Sequence, residues 1–343
     1  MSLLFSNLST STVDSTFEPR QSWRFCTAPM MDWSDRHCRY LWRLLSKNTR
    51  LYTEMVTTPA LIHGDRERFL AFDKSEHPVA LQLGGSNIYE LVESAKMAEQ
   101  AGFDEVNLNC GCPSDRVQEN KIGACLMAHP QLVADCISAM QNAVAIPVTI
   151  KHRTGIDDLD SEEQLHHFVS TVAQSGCKVF IVHARKAWLN GLSPKENREI
   201  PPLQYERVYA LKKAFPELTI VSNGGIKTTG DSLQQLQYLD GVMIGREAYH
   251  NPFLLASVDN QIYGQVTNVT RTDVFAQYLD YCHYEFKKGT RLHHITRHIL
   301  GLYHGEPGGR LFRRYISENA CKKDADPELL LRAIDAMRRE NAV

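Results

Sequence analysis

The residues of this chain that could do chemistry stand at the ends of short apolar runs. Cys112, in Gly111-Cys112-Pro113-Ser114, follows one such run. A thiol in ordinary surroundings titrates near 8.5 and so keeps its proton at neutral pH. It can deliver that proton to a carbanion-like carbon, a step typically worth ~10²–10⁴ in rate. Most cysteines are small buried hydrophobes, and only position sets this one apart. Cys110 lies two residues earlier, where strand alternation points it the same way, and sequence physics does not rank the two. Lys151 closes another apolar run. It reads either as half of a salt bridge to a neighbouring strand or as the cation that a flavin needs at its pyrimidine edge once the ring is reduced. Asn223-Gly224-Gly225 and Gly245-Arg246 close the last two runs. Glycines there either turn tight loops or let backbone N–H groups close on a phosphate, with Arg246 adding a charged donor.

The elements that must position these residues follow from hydropathy patterning. Eight β-rich runs are expected over 23–30, 51–55, 78–84, 104–109, 146–152, 178–183, 218–223 and 241–245. Several are nearly continuous apolar stretches, as strands buried on both faces should be. Amphipathic segments alternate with them. Ile88, Leu91, Val92, Ala95 and Ala98 follow a helical period, with Asn87 and Glu90 as a start signal and Gly102 as a stop. Eight such units over about 235 residues match a (β/α)8 TIM barrel, whose active site gathers at the C-terminal ends of the strands. An open doubly wound sheet would carry a Gly-rich turn after the first strand; here that strand runs into Ala28-Pro29-Met30-Met31-Asp32. Beyond Ser257 the strand runs cease, and helices are expected near 271–288, 293–304, 310–320 and 327–340, the last with Asp326 as cap and Pro327 at its first position. The expected organisation is a disordered tail over 1–22, a barrel over 23–256 and an all-α domain over 257–343.

Composition bounds the rest. With 343 residues, 43% of them hydrophobic, the chain can bury a large core, which excludes disordered and collagen-like readings. No run approaches the ~20 apolar residues of a membrane span, and the first 22 residues lack an export signal. Nine cysteines with no second pair completing the Cys110–Cys112 spacing give neither a disulfide framework nor a zinc ribbon, so a cytoplasmic protein without metal or membrane is expected. The formal net charge is −2, so any polyanion site must come from uneven charge. Residues 257–343 hold 13 Lys/Arg against 11 Asp/Glu, and His283–Arg314 holds seven Lys/Arg and five His against two acids. That cluster reads as a solvated face or as a phosphate-backbone footprint.

Taken together, Ala28-Pro29-Met30-Met31-Asp32, Asn107-Leu108-Asn109-Cys110-Gly111-Cys112-Pro113-Ser114, Lys151-His152-Arg153, His183-Ala184-Arg185, Asn223-Gly224-Gly225 and Gly245-Arg246 resemble the tRNA-dihydrouridine synthases. Asp115-Arg116-Val117-Gln118, the stretch from Leu192 to Arg198, and Gly309-Arg310 onward resemble their bacterial A subfamily. The resemblance implies an FMN-bound barrel, reduced by NADPH or NADH, that passes hydride to C6 of a uridine in tRNA at positions 20 and 20a while a cysteine protonates C5. Carried over by motif, Cys112 is that proton donor. Pro29, Met30, Met31, Gln82, Lys151, His183, Asn223, Gly224, Gly225, Gly245 and Arg246 hold FMN, and Asn109, Lys195, Arg198, Arg310 and Arg313 meet the tRNA. A monomer with tRNA and a nicotinamide nucleotide as partners is expected. The alternatives are a flavin barrel acting on a small free substrate, like a dihydroorotate dehydrogenase, and an RNA-binding barrel without chemistry.

Overall fold

The structure, a computed structural model, describes residues 22–114 and 121–340. Eight strands form one sheet: β1 (Phe25–Thr27), β2 (Leu51–Thr57), β3 (Val79–Gly84), β4 (Glu105–Cys110), β5 (Val148–Arg153), β6 (Val179–His183), β7 (Thr219–Asn223) and β8 (Gly241–Ile244). All neighbours are parallel, in the order β1-β8-β7-β6-β5-β4-β3-β2. Cys26 bridges Arg50, with Thr27 N donating to Arg50 O and Arg50 N to Phe25 O, both at 3.0 Å, so β1 meets β2 and the sheet closes. The TIM barrel expected from the sequence is the observed fold.

Helices α1 (Arg36–Leu45), α2 (Ile88–Ala101), α3 (Pro130–Ala143), α4 (Glu162–Gln174), α5 (Tyr205–Ala214), α6 (Thr229–Gln235) and α7 (Arg246–His250) follow β1 and β3 to β8, and short helical turns at Thr58–His63 and Arg66–Leu70 follow β2. Asn87 caps α2 by accepting from Glu90 N at 3.2 Å, and Gly102 ends it at φ +94°, as the sequence signals foretell. Strand alternation separates two cores. Outward residues such as Leu81, Leu108, Ile150 and Val182 pack under the helices. Cys26, Tyr52, Ala80, Val179, Ile181, Val221 and Met243 fill the barrel interior.

The C-terminal helices α8 (Arg271–Lys287), α9 (Gly309–Asn319) and α10 (Leu329–Glu340) continue the outer core. They are tied to the barrel mouth through Asp35. Its carboxylate caps α1 by accepting from His37 N and Cys38 N, and it also accepts from Arg297 Nη2 at 2.7 Å and lies 3.0 Å from His298 Nε2. These partners hold the carboxyl far below the usual range, although burial opposes them. Tyr281 stacks on Tyr40 with centroids 3.9 Å apart and pairs with His37 Nδ1 at 2.7 Å.

Three expectations are corrected. The helix over 293–304 is broken into Leu292–Thr296 and a short turn at Ile299–Gly301, the chain turning at Arg297 and His298, whose side chains bond to Asp35. The last helix starts at Leu329, after a turn in which Leu329 N donates to Asp326 O; the Asp326 carboxylate accepts from Arg332 and does not cap. Ser22, placed in the tail, is buried against the barrel and accepts from Arg50. The rest of that tail, and the motif at 115–118, lie outside the described residues.

Candidate active site

Strands β3, β4 and β5 bring together, in the barrel interior, residues up to 71 positions apart in sequence and polar despite their burial. On β4 the inward positions are Glu105, Asn107 and Asn109; on β5 they are Thr149, Lys151 and Arg153; on β3, Gln82. Asn109 Oδ1 accepts from Gly111 N and Cys112 N, each at 3.0 Å, and so fixes the loop that carries the thiol. Its Nδ2 donates to Gln82 Oε1 at 2.8 Å. From the other side, Ala124 N donates to Cys112 O at 2.9 Å. Cys112 is thereby held half-exposed at the mouth.

The structure ranks the two cysteines that sequence alternation left equal. β4 ends at Cys110, so alternation does not extend to Cys112. Cys110 points outward into the core under the helices, where burial holds its thiol well above the usual range. Cys112 instead interacts with three cations, Lys151, Arg153 and Arg198.

The mouth carries an excess of positive groups. Desolvation pulls the Lys151 ammonium down to about 7, Arg153 adds to that shift and Cys112 opposes it. Among the described residues no carboxylate makes an ion pair with Lys151, Arg153, Arg185 or Arg198, so the salt-bridge reading of Lys151 fails. His183 is kept neutral, well below the usual imidazole range, by burial and then by Arg153, Lys151, Arg185 and Arg198. Its ring therefore offers one donor and one acceptor. Arg153, which sequence reasoning passed over, is nearly fully buried. It donates to Gly111 O at 2.8 Å and to Lys186 O and Asn197 O at 3.0 Å, stapling the Cys112 loop to the loop after β6. Asn197 anchors that second loop, donating to Trp188 O and Leu192 O and accepting from Trp188 N.

After β7, Gly224 and Gly225 take φ of +107° and +74°. A Cβ on Gly224 would lie 2.6 Å from the His183 ring, so this close approach requires glycine. Among the described residues neither glycine N–H donates within the chain, which leaves two successive donors for a ligand at the rim. Asn223 donates from Nδ2 to Met243 O at 2.8 Å, joining β7 to β8 beside Gly245. Arg246 pairs with Glu199 at 2.6 Å in an exposed bridge, which is worth little and leaves the guanidinium available. Pro29 and Met30 are half-buried after β1, and Met31 is 58% exposed.

These residues fit a flavin mononucleotide. A carboxylate-free ammonium, a neutral imidazole, a buried Arg185 Nε without a partner and free glycine N–H groups suit an anionic ring and a phosphate. The expected tRNA contacts divide. Lys195, Arg198, Arg310 and Arg313 are exposed, and Arg310 and Arg313 form no ion pair among the described residues. Asn109 is 9% exposed, with its carbonyl and one N–H engaged by the loop and by Gln82. Gln82 itself is buried with both amide ends bonded. No helix among the described residues is long and apolar enough to cross a membrane, and none of their His, Cys, Asp and Glu groups cluster to hold a metal ion.

Comparison with known proteins agrees with this geometry. The family model described as dihydrouridine synthase matches residues 26–339. The chain is 57% identical over 327 residues to the tRNA-dihydrouridine(20/20a) synthase of Escherichia coli strain K12, covering 95% of this chain and 94% of that one. It is 58% identical over 315 residues to the protein of that name from Vibrio cholerae, covering 91% and 96%, and 60% identical over 314 residues to that from Pseudomonas syringae pv. tomato, covering 91% and 93%. A match across nearly the whole barrel and the C-terminal helices, at such identity, decides against the dihydroorotate-type reading: the chain belongs to the dihydrouridine synthase family.

Proposed function

We propose that this chain reduces uridine to 5,6-dihydrouridine in the D-loop of tRNA, at positions 20 and 20a, with FMN resident in the barrel mouth and a nicotinamide nucleotide as reductant. The observation that carries the reading is a half-exposed thiol held by Asn109 among cations that, among the described residues, have no carboxylate partner. FMN, reduced by NADPH or NADH, supplies hydride for C6 of the uracil. Lys151 and His183 would hold the polar edge of the ring. The N–H groups of Gly224 and Gly225, with Gly245 and Arg246, would hold the phosphate, while Asn223 braces the turn between them. Pro29, Met30 and Met31, after β1, would line the rim beside Gly245, and Gln82 on β3 would face the mouth from within. The Cys112 sulfur gives its proton to C5, and the fixed loop keeps that proton aimed into the mouth.

The base must leave its stack to reach this thiol, at a cost of a few kcal/mol. The C-terminal unit, residues 257–343, would offset that cost through phosphate contacts from Arg310 and Arg313 on one face of α9, with Lys195 and Arg198 at the rim. Cytoplasmic location and a monomer complete the reading.

Cys112→Ala tests it. Purified protein should be yellow, and the variant should lose product formation by ~10²-fold or more while NADPH still bleaches the flavin. Joint loss of both activities would make Cys112 structural, and a colourless preparation would remove the flavin.

A further inference from the structure

We propose that Glu105, buried at the opposite end of the barrel interior from the Cys112 loop, is a positioning residue whose carboxylate sets the direction of a hydrogen-bond chain ending at Cys112 N–H. The inference rests on the function proposed above only for its consequence in turnover.

Glu105 is fully buried and surrounded by donors. Trp23 Nε1 donates to Oε2 at 2.7 Å and Arg50 Nη1 donates to the same oxygen at 3.0 Å. Tyr52 OH donates to Oε1 at 2.8 Å, as does the Thr149 hydroxyl. Burial, and then Glu105 itself, holds the Tyr52 phenol well above the usual range, so Tyr52 keeps its proton to donate. Indole and guanidinium can only donate, and a carboxylate facing a guanidinium can only accept.

Direction then propagates. Thr149 has one hydroxyl proton, and Glu105 takes it, so toward Asn107 the Thr149 oxygen can only accept. Asn107 must present its NH₂, which it does at 2.8 Å, and this turns its carbonyl toward Gln82. Gln82 Nε2 donates to that carbonyl at 2.8 Å, which turns Oε1 toward Asn109. Asn109 Nδ2 donates to Oε1 at 2.8 Å, which leaves Asn109 Oδ1 facing Gly111 N and Cys112 N. Three amides, each free to flip in isolation, are locked in one sense. A glutamine at 105 can donate to Thr149; reversing the chain would then set an NH₂ against Cys112 N–H, donor to donor.

The test uses the full flavin-loaded chain. Iodoacetamide labelling of Cys112 is followed by peptide mass spectrometry, with exposed Cys321 as internal reference, beside kcat and KM for tRNA. Thr149→Val cuts the chain without adding charge. It should speed Cys112 labelling by roughly threefold or more relative to Cys321, the lower end of couplings within one network. It should also lower kcat with KM unchanged, and Thr149→Ser should restore both. Glu105→Gln should give the same faster labelling alone and add nothing on top of Thr149→Val. Unchanged Cys112 labelling in Thr149→Val overturns the proposal, as do failure of Thr149→Ser to restore it and an equal effect of Glu105→Gln in both backgrounds. Should Glu105→Gln not fold, the Thr149→Val and Thr149→Ser pair decides. Labelling reads the loop itself, so the proposal can stand even if Cys112→Ala shows that the thiol is not the proton donor.

Discussion

The two ends of the barrel interior treat buried charge in opposite ways. At the base, Glu105 meets Trp23, Arg50, Tyr52 and Thr149 and is satisfied by the chain itself. At the mouth, Lys151, Arg153, Arg185 and Arg198 crowd together, and among the described residues none of them has a carboxylate ion-pair partner and neither Gly224 nor Gly225 donates its N–H. Glu105 and Lys151 stand on adjacent strands, β4 and β5, so the difference lies in which groups close around each. A closed network stabilises and orients, whereas an open one costs stability until a ligand completes it. The contrast teaches that the mouth is strained by its own charge in the absence of an anionic partner, and that the base supplies the rigidity to hold it so.

The largest effect should come from breaking the closed end. Arg50→Met leaves Glu105 buried without its counter-charge, and should lower unfolding free energy by about 3–5 kcal/mol in denaturant titration. A loss below ~1 kcal/mol would mean that the base is not closed by this pair. At the open end the sign reverses. Lys151 titrates near 7 when folded and near 10.5 in an unfolded chain, so between these values the unfolded state binds more protons. Stability of flavin-stripped protein should therefore rise from pH 7 toward 10, by up to about 1.4 kcal/mol per pH unit from this group. Lys151→Met should flatten that rise, increase stability at neutral pH and weaken flavin retention; an unchanged pH profile would show that the ammonium is not desolvated.

Asp35 gives a smaller dependence of the same sign, in the acid range. Its folded carboxyl is held far below its unfolded value, so the stability it contributes is present above roughly pH 4 and is lost as pH falls further. Asp35→Asn should remove part of the acid sensitivity of the contact between α1 and Arg297, seen as slower exchange loss at low pH in amide hydrogen exchange. The smallest effect concerns the surface. Arg310→Ala with Arg313→Ala should reduce the salt slope of tRNA binding by about two and leave protein stability unchanged.

The barrel and most strand limits were legible because period-two and period-3.6 patterns are local. The helix at 88–101 shows this, since cap, face and stop all lie within one stretch of chain. Legibility failed where a distant group decided the outcome. The expected helix over 293–304 turns at Arg297 and His298, which bond to Asp35, 262 and 263 positions away, and Asp326 turns to Arg332 instead of capping. Cys110 and Cys112 looked alike until β4 was seen to end between them. Glu105 and Thr149 were passed over, although Glu105-x-Asn107-x-Asn109 on one strand face was a readable signal of a polar interior.

By itself the sequence determined the alternation of elements, the polar residues at the strand ends and the excess of positive charge toward the C-terminus, because each is a property of neighbours along the chain. Only the tertiary structure decided that Arg153 joins two loops, that Lys151 has no ion-pair partner among the described residues, and that Asn109 faces the thiol loop with its carbonyl. Those outcomes depend on which strands close beside one another, and hydrogen-bond direction is inherited across them from a carboxylate on the same strand's opposite end.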